Sequence, residues 1–230
     1  MKKMFSIIAL VAIYGTGYSQ QDIKIYGSLQ QIMHANDTSE KVRLNKMGPL
    51  FSIYGIGALA SLDGEILILD GETYVTRVWN TSLITDKSTD VGAALLVMTS
   101  VEVWDTLVIN KDLYEMKSLE NYLALEIGEI ESAYPFMVLS SDSEIRWHVV
   151  RTPKNASEME NHKELGIKGK FKGSALLLGF FSKKHEGVFT HKGQNTHIHF
   201  QSADKQYAGH VDQIMLKKGD KLLIPKYLQK

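Results

Sequence analysis

The dipeptide Asp70-Gly71 stands between two apolar runs, Ile66-Leu67-Ile68-Leu69 and Tyr74 to Val78, and no other segment constrains the fold as tightly. Two β-favouring runs joined by Asp-Gly specify an antiparallel hairpin, because a type I′ turn needs positive φ at both central residues. Ala93 to Met98 and Val101 to Ile109 are rich in Val, Leu and Thr, and both are expected to extend the same sheet. Ile23 to Tyr26 reads as extended, followed by weak helical spacing towards Asn45. Asp112 to Ile127 carries Leu113, Met116, Leu119, Tyr122 and Leu123 at helical spacing, with Asp112 and Glu115 as a capping box and Gly128 as the stop.

Beyond Tyr134-Pro135 the pattern returns to hairpins: Phe136 to Leu139, a turn at Ser140 to Ser143, Ile145 to Val150, and later Ala175 to Phe181. A boundary near Ser132 divides the mature chain into residues 20–132, a sheet with a helix, and residues 133–230, a second β-rich half. The expected fold class is α+β, predominantly β.

The 230 residues are 44% apolar and 23% charged, a balance that gives an ordinary globular core. With 26 basic and 26 acidic residues there is no net positive field for nucleic acid or an anionic lipid surface, so a small-molecule partner is expected. Lys2 and Lys3, an apolar run from Met4 to Tyr14, and the small residues Gly15, Gly17 and Ser19 compose a signal peptide over residues 1–19. The run is shorter than the roughly 20 residues that span a bilayer, so the processed protein is expected to be exported and free of the membrane. Cysteine is absent, which excludes disulfides and thiolate ligands. A metal site must then be built from His, Asp and Glu, a donor set for zinc, manganese, iron or copper.

Thr196-His197-Ile198-His199-Phe200 places two imidazoles at i and i+2, which in a strand point to one face. Ser202 to Lys205 reads as a turn and Gly209-His210-Val211-Asp212 as the returning strand. If the loop centres between Asp204 and Lys205, His199 and His210 are directly opposed, with Cβ atoms about 5 Å apart. Three converging imidazoles, with a fourth position left for water or substrate, form the ligand set of a catalytic tetrahedral ion. His34, His148, His162, His185 and His191 lack such partners and read as ordinary polar residues.

Glu65 follows Gly64 at the start of the first hairpin strand, where glycine permits close backbone approach; a strand-edge carboxylate explains it equally well. Ile145, Trp147, Val149 and Arg151 share one strand parity, so Arg151 ends an apolar face. There it can meet a carboxylate bidentately or snorkel at a sheet rim.

These residues resemble the acetolactate decarboxylase family, in the same order and over most of the mature chain. Tyr54-Gly55-Ile56-Gly57, Leu62-Asp63-Gly64-Glu65 and Leu69-Asp70-Gly71 with Tyr74 are similar to its N-terminal signature, with Ala58 in place of the usual threonine. Val150-Arg151-Thr152-Pro153-Lys154 is similar to its arginine segment. Gly179-Phe180, Glu186-Gly187, His197 to Phe200 and Gly209 to Asp212 are similar to its metal-site pattern.

The resemblance implies two mixed-sheet halves, a zinc or other divalent ion on His197, His199 and His210, and Glu65 and Arg151 as catalytic residues. It also implies a homodimer through the N-terminal sheet. The implied reaction converts 2-acetolactate, a 2-hydroxy-3-keto acid, to acetoin and carbon dioxide. The family has a second active-site glutamate in a C-terminal tail, whereas the 20 residues after His210 contain none. Two other functions share the histidine pattern: an exported metal- or carboxylate-binding relative without turnover, and a cupin-like metal oxygenase. The glutamate that usually follows the cupin HxH is absent here.

Overall fold

In a computed structural model, residues 22–128, 132–153, 155–160 and 165–226 are described; the signal peptide read at residues 1–19, Lys154 and His162 lie outside them. The first sheet contains β1 (Lys24–Tyr26), β2 (Val42–Arg43), β3 (Ile53–Leu59), β4 (Glu65–Leu69), β5 (Glu72–Trp79), β6 (Ser82–Lys87) and β7 (Gly92–Ser100). Their order is β1-β7-β3-β4-β5-β6, with β2 also on β7. The second sheet contains β8 (Trp104–Val108), β9 (Tyr134–Val149), β10 (Ile167–Phe181), β11 (Thr196–Ser202), β12 (Ala208–Met215) and β13 (Lys221–Pro225). Helix α1 (Leu29–Ala35) follows β1, α2 (Met116–Ile127) follows β8 and α3 (Ala156–Glu160) follows β9. The chain is mostly β, as expected, and the strand pairings within both sheets are antiparallel rather than mixed. Among the described residues no helix is long and apolar enough to cross a membrane.

Asp70 (φ 49°) and Gly71 (φ 81°) make the β4–β5 turn, both in the left-handed region that the dipeptide favours. The run Ile66 to Leu69 is continuously apolar because the first sheet is covered on both faces. Ile66 and Ile68 pack under residues 42–50, while Leu67 and Leu69 face the second sheet.

The expectation that Val101 to Ile109 extends the first sheet is corrected: β8 pairs with β13 in the second sheet. The burial pattern gives the reason. From Gly92 to Thr99 β7 is buried at every residue, as a strand covered on both faces must be, whereas β8 has exposed and half-buried residues, as an edge strand does. The chain therefore changes sheet between Ser100 and Trp104, ahead of Ser132. Helix α2 also packs on the second sheet, through Leu119, Tyr122 and Leu123. Glu115 and Ser118 form its capping box, not Asp112 and Glu115; Asp112 instead accepts the backbone N–H of Lys218 at 2.8 Å. Gly128 ends the helix as expected.

The turn expected at Ser140 to Ser143 is also corrected, since β9 runs through it as a single 16-residue strand. Ser140 opposes Ala175 and Ser143 opposes Gly173, so β9 holds one residue more than β10 at this point. That bulge flips the side-chain parity. Phe136 and Val138 before it, and Ile145, Trp147 and Val149 after it, all enter the same core. The serines suit the bulge because their hydroxyls are satisfied locally: Ser140 Oγ donates to Asp220 at 2.8 Å and Ser143 Oγ to the Gly173 carbonyl at 2.9 Å.

Strand β10 pairs with both β9 and β11, and β12 pairs with both β11 and β9, so these four strands close into a ring. Its interior is filled by Phe136, Trp147, Leu177, Phe200 and Val211 among others. A second core, holding Ile56, Leu67, Leu95, Met137, Leu178 and Phe180, joins the ring to the first sheet. The candidate site lies in this inter-sheet layer.

Buried Asp220 ties β13 to the bulge, accepting from Ser140 Oγ, the Ser141 N–H at 3.2 Å and the Lys217 N–H at 2.9 Å. Asp220→Ala is expected to lower unfolding free energy by about 1–3 kcal/mol, because it strands the buried Ser140 hydroxyl and removes the acceptor of two partly buried backbone N–H groups. Urea titration measures this, and Asp220→Asn should recover part of the loss.

Candidate metal centre

Ile198 and Phe200 enter the ring interior, so alternation turns His197 and His199 outward into the inter-sheet layer. Buried Glu120 of α2 fixes the start of β11, accepting the Asn195 N–H at 2.5 Å and the Thr196 hydroxyl at 3.2 Å. The β11–β12 register opposes His199 to His210, as the loop reading predicts. One ring nitrogen from each of His197, His199 and His210 lies within 4.8 Å of the other two, and all three side chains are buried.

His197 Nε2 and His199 Nε2 are 3.2 Å apart. A tetrahedral zinc with bonds of ~2.0–2.1 Å has nitrogen-to-nitrogen edges of ~3.3 Å, so the spacing fits. Burial, then the neighbouring imidazoles, holds His197 and His210 well below the usual histidine range, and burial brings His199 to about 3. Neutral rings keep their lone pairs for a cation, and facing lone pairs repel unless a proton or metal lies between them. The Nδ1 atoms of His197 and His199 are buried without a well-formed hydrogen bond, although backbone groups of Phe189 and Ile66 slightly favour the protonated rings. This trio has the chemistry of a divalent transition-metal site.

Glu65 approaches from the opposite sheet. Gly64 (φ 128°) makes the bend before it, where an added Cβ would come within 2.2 Å of the Thr76 carbonyl oxygen. Glu65 Oε2 lies 3.6 Å from His199 Nε2, and Oε1 accepts the Val150 N–H at 3.2 Å. Burial raises its carboxyl to about 7, against the opposing pull of His148 and the Val150 N–H.

A cavity of about 350 Å³ opens beside these groups. Leu29, Ile32 and Met33 of α1, with Leu62, Leu95 and Val150, make its apolar wall. Its polar wall includes His148, Lys168, His191, Gln194 and Asp212, none of them marked as a site residue by the sequence. The β9–β12 register opposes His148 to His210, with ring centroids 4.7 Å apart. Asp212 is the extra residue of a bulge between Val211 and Gln213, which aims its carboxylate at His148 Nδ1, 2.8 Å away. His148, His210 and Asp212 form a second group with ligand spacing. His191 also lines the cavity, its ring 5.6 Å from that of His210. Only Asp212 had a local signal, its place two residues after His210; His148 and Lys168 arrive through pairings between distant strands.

Arg151 lies outside the cavity lining. Its Nη1 and Nη2 donate to both carboxylate oxygens of Glu158, at 3.0 and 3.1 Å, and Nη1 also reaches the Thr152 carbonyl. His185 is held by Ser182 Oγ at 2.7 Å and stacks on Phe189.

Two antiparallel sheets enclosing a buried three-histidine cluster define a β-rich protein with a candidate metal centre. Residues 29–223 match the alpha-acetolactate decarboxylase family, and the chain belongs to it. The alpha-acetolactate decarboxylase of Bacillus subtilis strain 168 has a similar fold, with TM-score 0.72 and 15% identity over 89% of this chain and 85% of that one. A Staphylococcus aureus protein of unknown function, similar to alpha-acetolactate decarboxylase, gives 0.71 and 17% over 88% and 84%. No curated protein sequence matches significantly.

The buried imidazoles set the acid stability of the metal-free protein. The unfolded chain takes up their protons near 6.5 while the folded state refuses them, so stability is full above 6.5 and falls with pH below it. Acidification to pH 5 should cost about 2 kcal/mol through His199 alone, with His197 and His210 acting in the same direction. Glu65 and His148 act oppositely: the carboxyl raised to about 7 by burial, and the imidazole raised, against its own burial, by Asp212 and Glu65, both favour the folded state as pH falls. Three strongly shifted groups outweigh these two, so urea midpoints in chelator should be lower at pH 5 than at 7.5, and His199→Gln should narrow the difference.

Proposed function

We propose that the chain is a metal-dependent acetolactate decarboxylase, releasing carbon dioxide from 2-acetolactate to give acetoin. The observation that carries this reading is the buried acid Glu65, placed across the inter-sheet cavity against a three-imidazole cluster in a chain of this family. His197, His199 and His210 would hold a zinc-like divalent ion. When bound, such an ion supplies Lewis-acid polarisation of the substrate's ketone and hydroxyl oxygens as the C1–C2 bond breaks and its electron pair passes to the ketone.

Glu65 handles the proton. A carboxyl near 7 is present in both forms at neutral pH, so Oε2 can accept the hydroxyl proton or return one to carbon. The Val150 N–H fixes the other oxygen and sets the carboxyl's orientation. The α1 wall keeps water from the reacting carbons and leaves the substrate's methyl groups on an apolar surface. Arg151 is the proposed electrostatic residue beyond the end of β9, next to Val150; its terminal nitrogens donate to Glu158, which a substrate carboxylate would have to displace or share. The second carboxylate among the described lining residues is Asp212 rather than a tail glutamate.

Purified protein is expected to carry one divalent transition ion per chain by elemental analysis, and His199→Ala to lose it. Acetoin should form from acetolactate in the loaded protein. Glu65→Gln keeps the shape but removes the titratable proton, and should lower kcat by about 10²- to 10⁴-fold with the metal retained. Full metal occupancy with no acetoin from either enantiomer would leave a carboxylate-binding relative as the function.

Export is part of the same proposal and is supported by the leader composition. N-terminal sequencing should find a mature start near Gln20; an intact Met1 form in the cytosol would overturn it.

A further inference from the structure

We propose that Lys168 anchors the carboxylate of the substrate, a task the family resemblance would give to Arg151. This rests on the reading above that the cavity takes a small 2-hydroxy acid. Among the described residues lining the cavity, Lys168 is the one lysine or arginine. Its backbone position is fixed by register: Lys168 opposes His148 across β10 and β9, His148 opposes His210 across β9 and β12, and His210 opposes His199 across β12 and β11. Directly opposed residues share a sheet face, so four strands present one row that ends in a cation at one side and the imidazole cluster at the other.

Adjacent strands lie about 4.8 Å apart, which puts the Lys168 backbone about two strand spacings from that of His210. A flexible four-carbon stem can bring its ammonium back over His148 towards the cluster. A molecule chelated through adjacent oxygens at the histidines would then direct its carboxylate along the row to this ammonium. Arg151, by contrast, lies outside the cavity lining.

The proposed contact is made to the ground-state carboxylate. Its negative charge is lost as carbon dioxide leaves, so the ammonium stabilises the bound ground state more than the bond-breaking transition state. Lys168 therefore acts as a binding residue, and its loss should appear in KM.

The test compares wild type, Lys168→Met, Lys168→Arg and Lys170→Met, all metal-loaded, with metal content and melting temperature measured for each to establish folding. Calorimetric titration with 2-hydroxyisobutyrate, an unreactive 2-hydroxy acid, gives a readout independent of turnover, and its neutral amide serves as the uncharged probe. Lys168→Met should weaken acid binding by about 10- to 100-fold, the range of a charge-assisted hydrogen bond. It should leave amide binding unchanged. KM for acetolactate should rise with kcat unchanged or raised, so that kcat/KM falls by less than the loss of acid affinity, and Lys168→Arg should restore most of the affinity. Lys170 points along the same strand but lines a different depression, so Lys170→Met should match wild type. Equal acid binding in wild type and Lys168→Met, or an equal loss in Lys170→Met, would overturn the assignment. Lys168-dependent acid binding without acetoin formation would instead keep the carboxylate anchor and remove the decarboxylase reading.

Discussion

The second half of the molecule hangs on the hydrogen-bond ladders of β9. This one strand pairs with β10 along nearly all its length, with β13 over its first part and with β12 over its second. Its bulge at Ser140 to Ser143 keeps both parts facing one core despite the change of neighbour, because the added residue flips parity where the partner changes. The ladder also carries the site. Through it His148 lies beside His210, Lys168 lies beside His148, and the strand's far end presents the Val150 N–H to Glu65.

The two sheets make chemically different contributions. The ring of the second sheet supplies imidazoles on adjacent strands, where backbone pairing sets their separation and no long side chain needs to be held in place. The first sheet supplies a single carboxyl, Glu65, from the opposite side of the gap. Leu67 and Leu95 share that gap with Met137 and Phe180, and burial governs the titration of Glu65, His197, His199 and His210, whereas Asp212 and Glu65 outweigh it at His148. One setting thus makes the histidines neutral donors and keeps the glutamate protonated to near neutral pH.

Bulges account for two places where a regular alternation would fail the site. In β12 the extra residue is Asp212, whose carboxylate turns back to His148 instead of continuing the ladder. In β9 the extra residue lets Trp147 and Val149 stay in the ring interior while His148 faces the cavity. Asp220, just before β13, holds the β9 bulge through Ser140 and Ser141.

Short-range physics was readable from the residues themselves. Asp70-Gly71 determined a hairpin because few pairs tolerate two positive φ angles, and the HxH pair with its two-stranded return determined the approach of His197, His199 and His210 through pleat and register alone. Glu65 was identifiable by its motif, but its raised carboxyl required the second sheet to cover it. Distant pairings were decided only by the tertiary structure. The assignment of β8 to the second sheet, the continuity of β9 through its serines, and the row joining Lys168, His148 and His210 depend on strands far apart in sequence. Alternation within a strand says which residues share a face; it carries no information about which strand lies alongside, and that choice is made by the packing of the whole core.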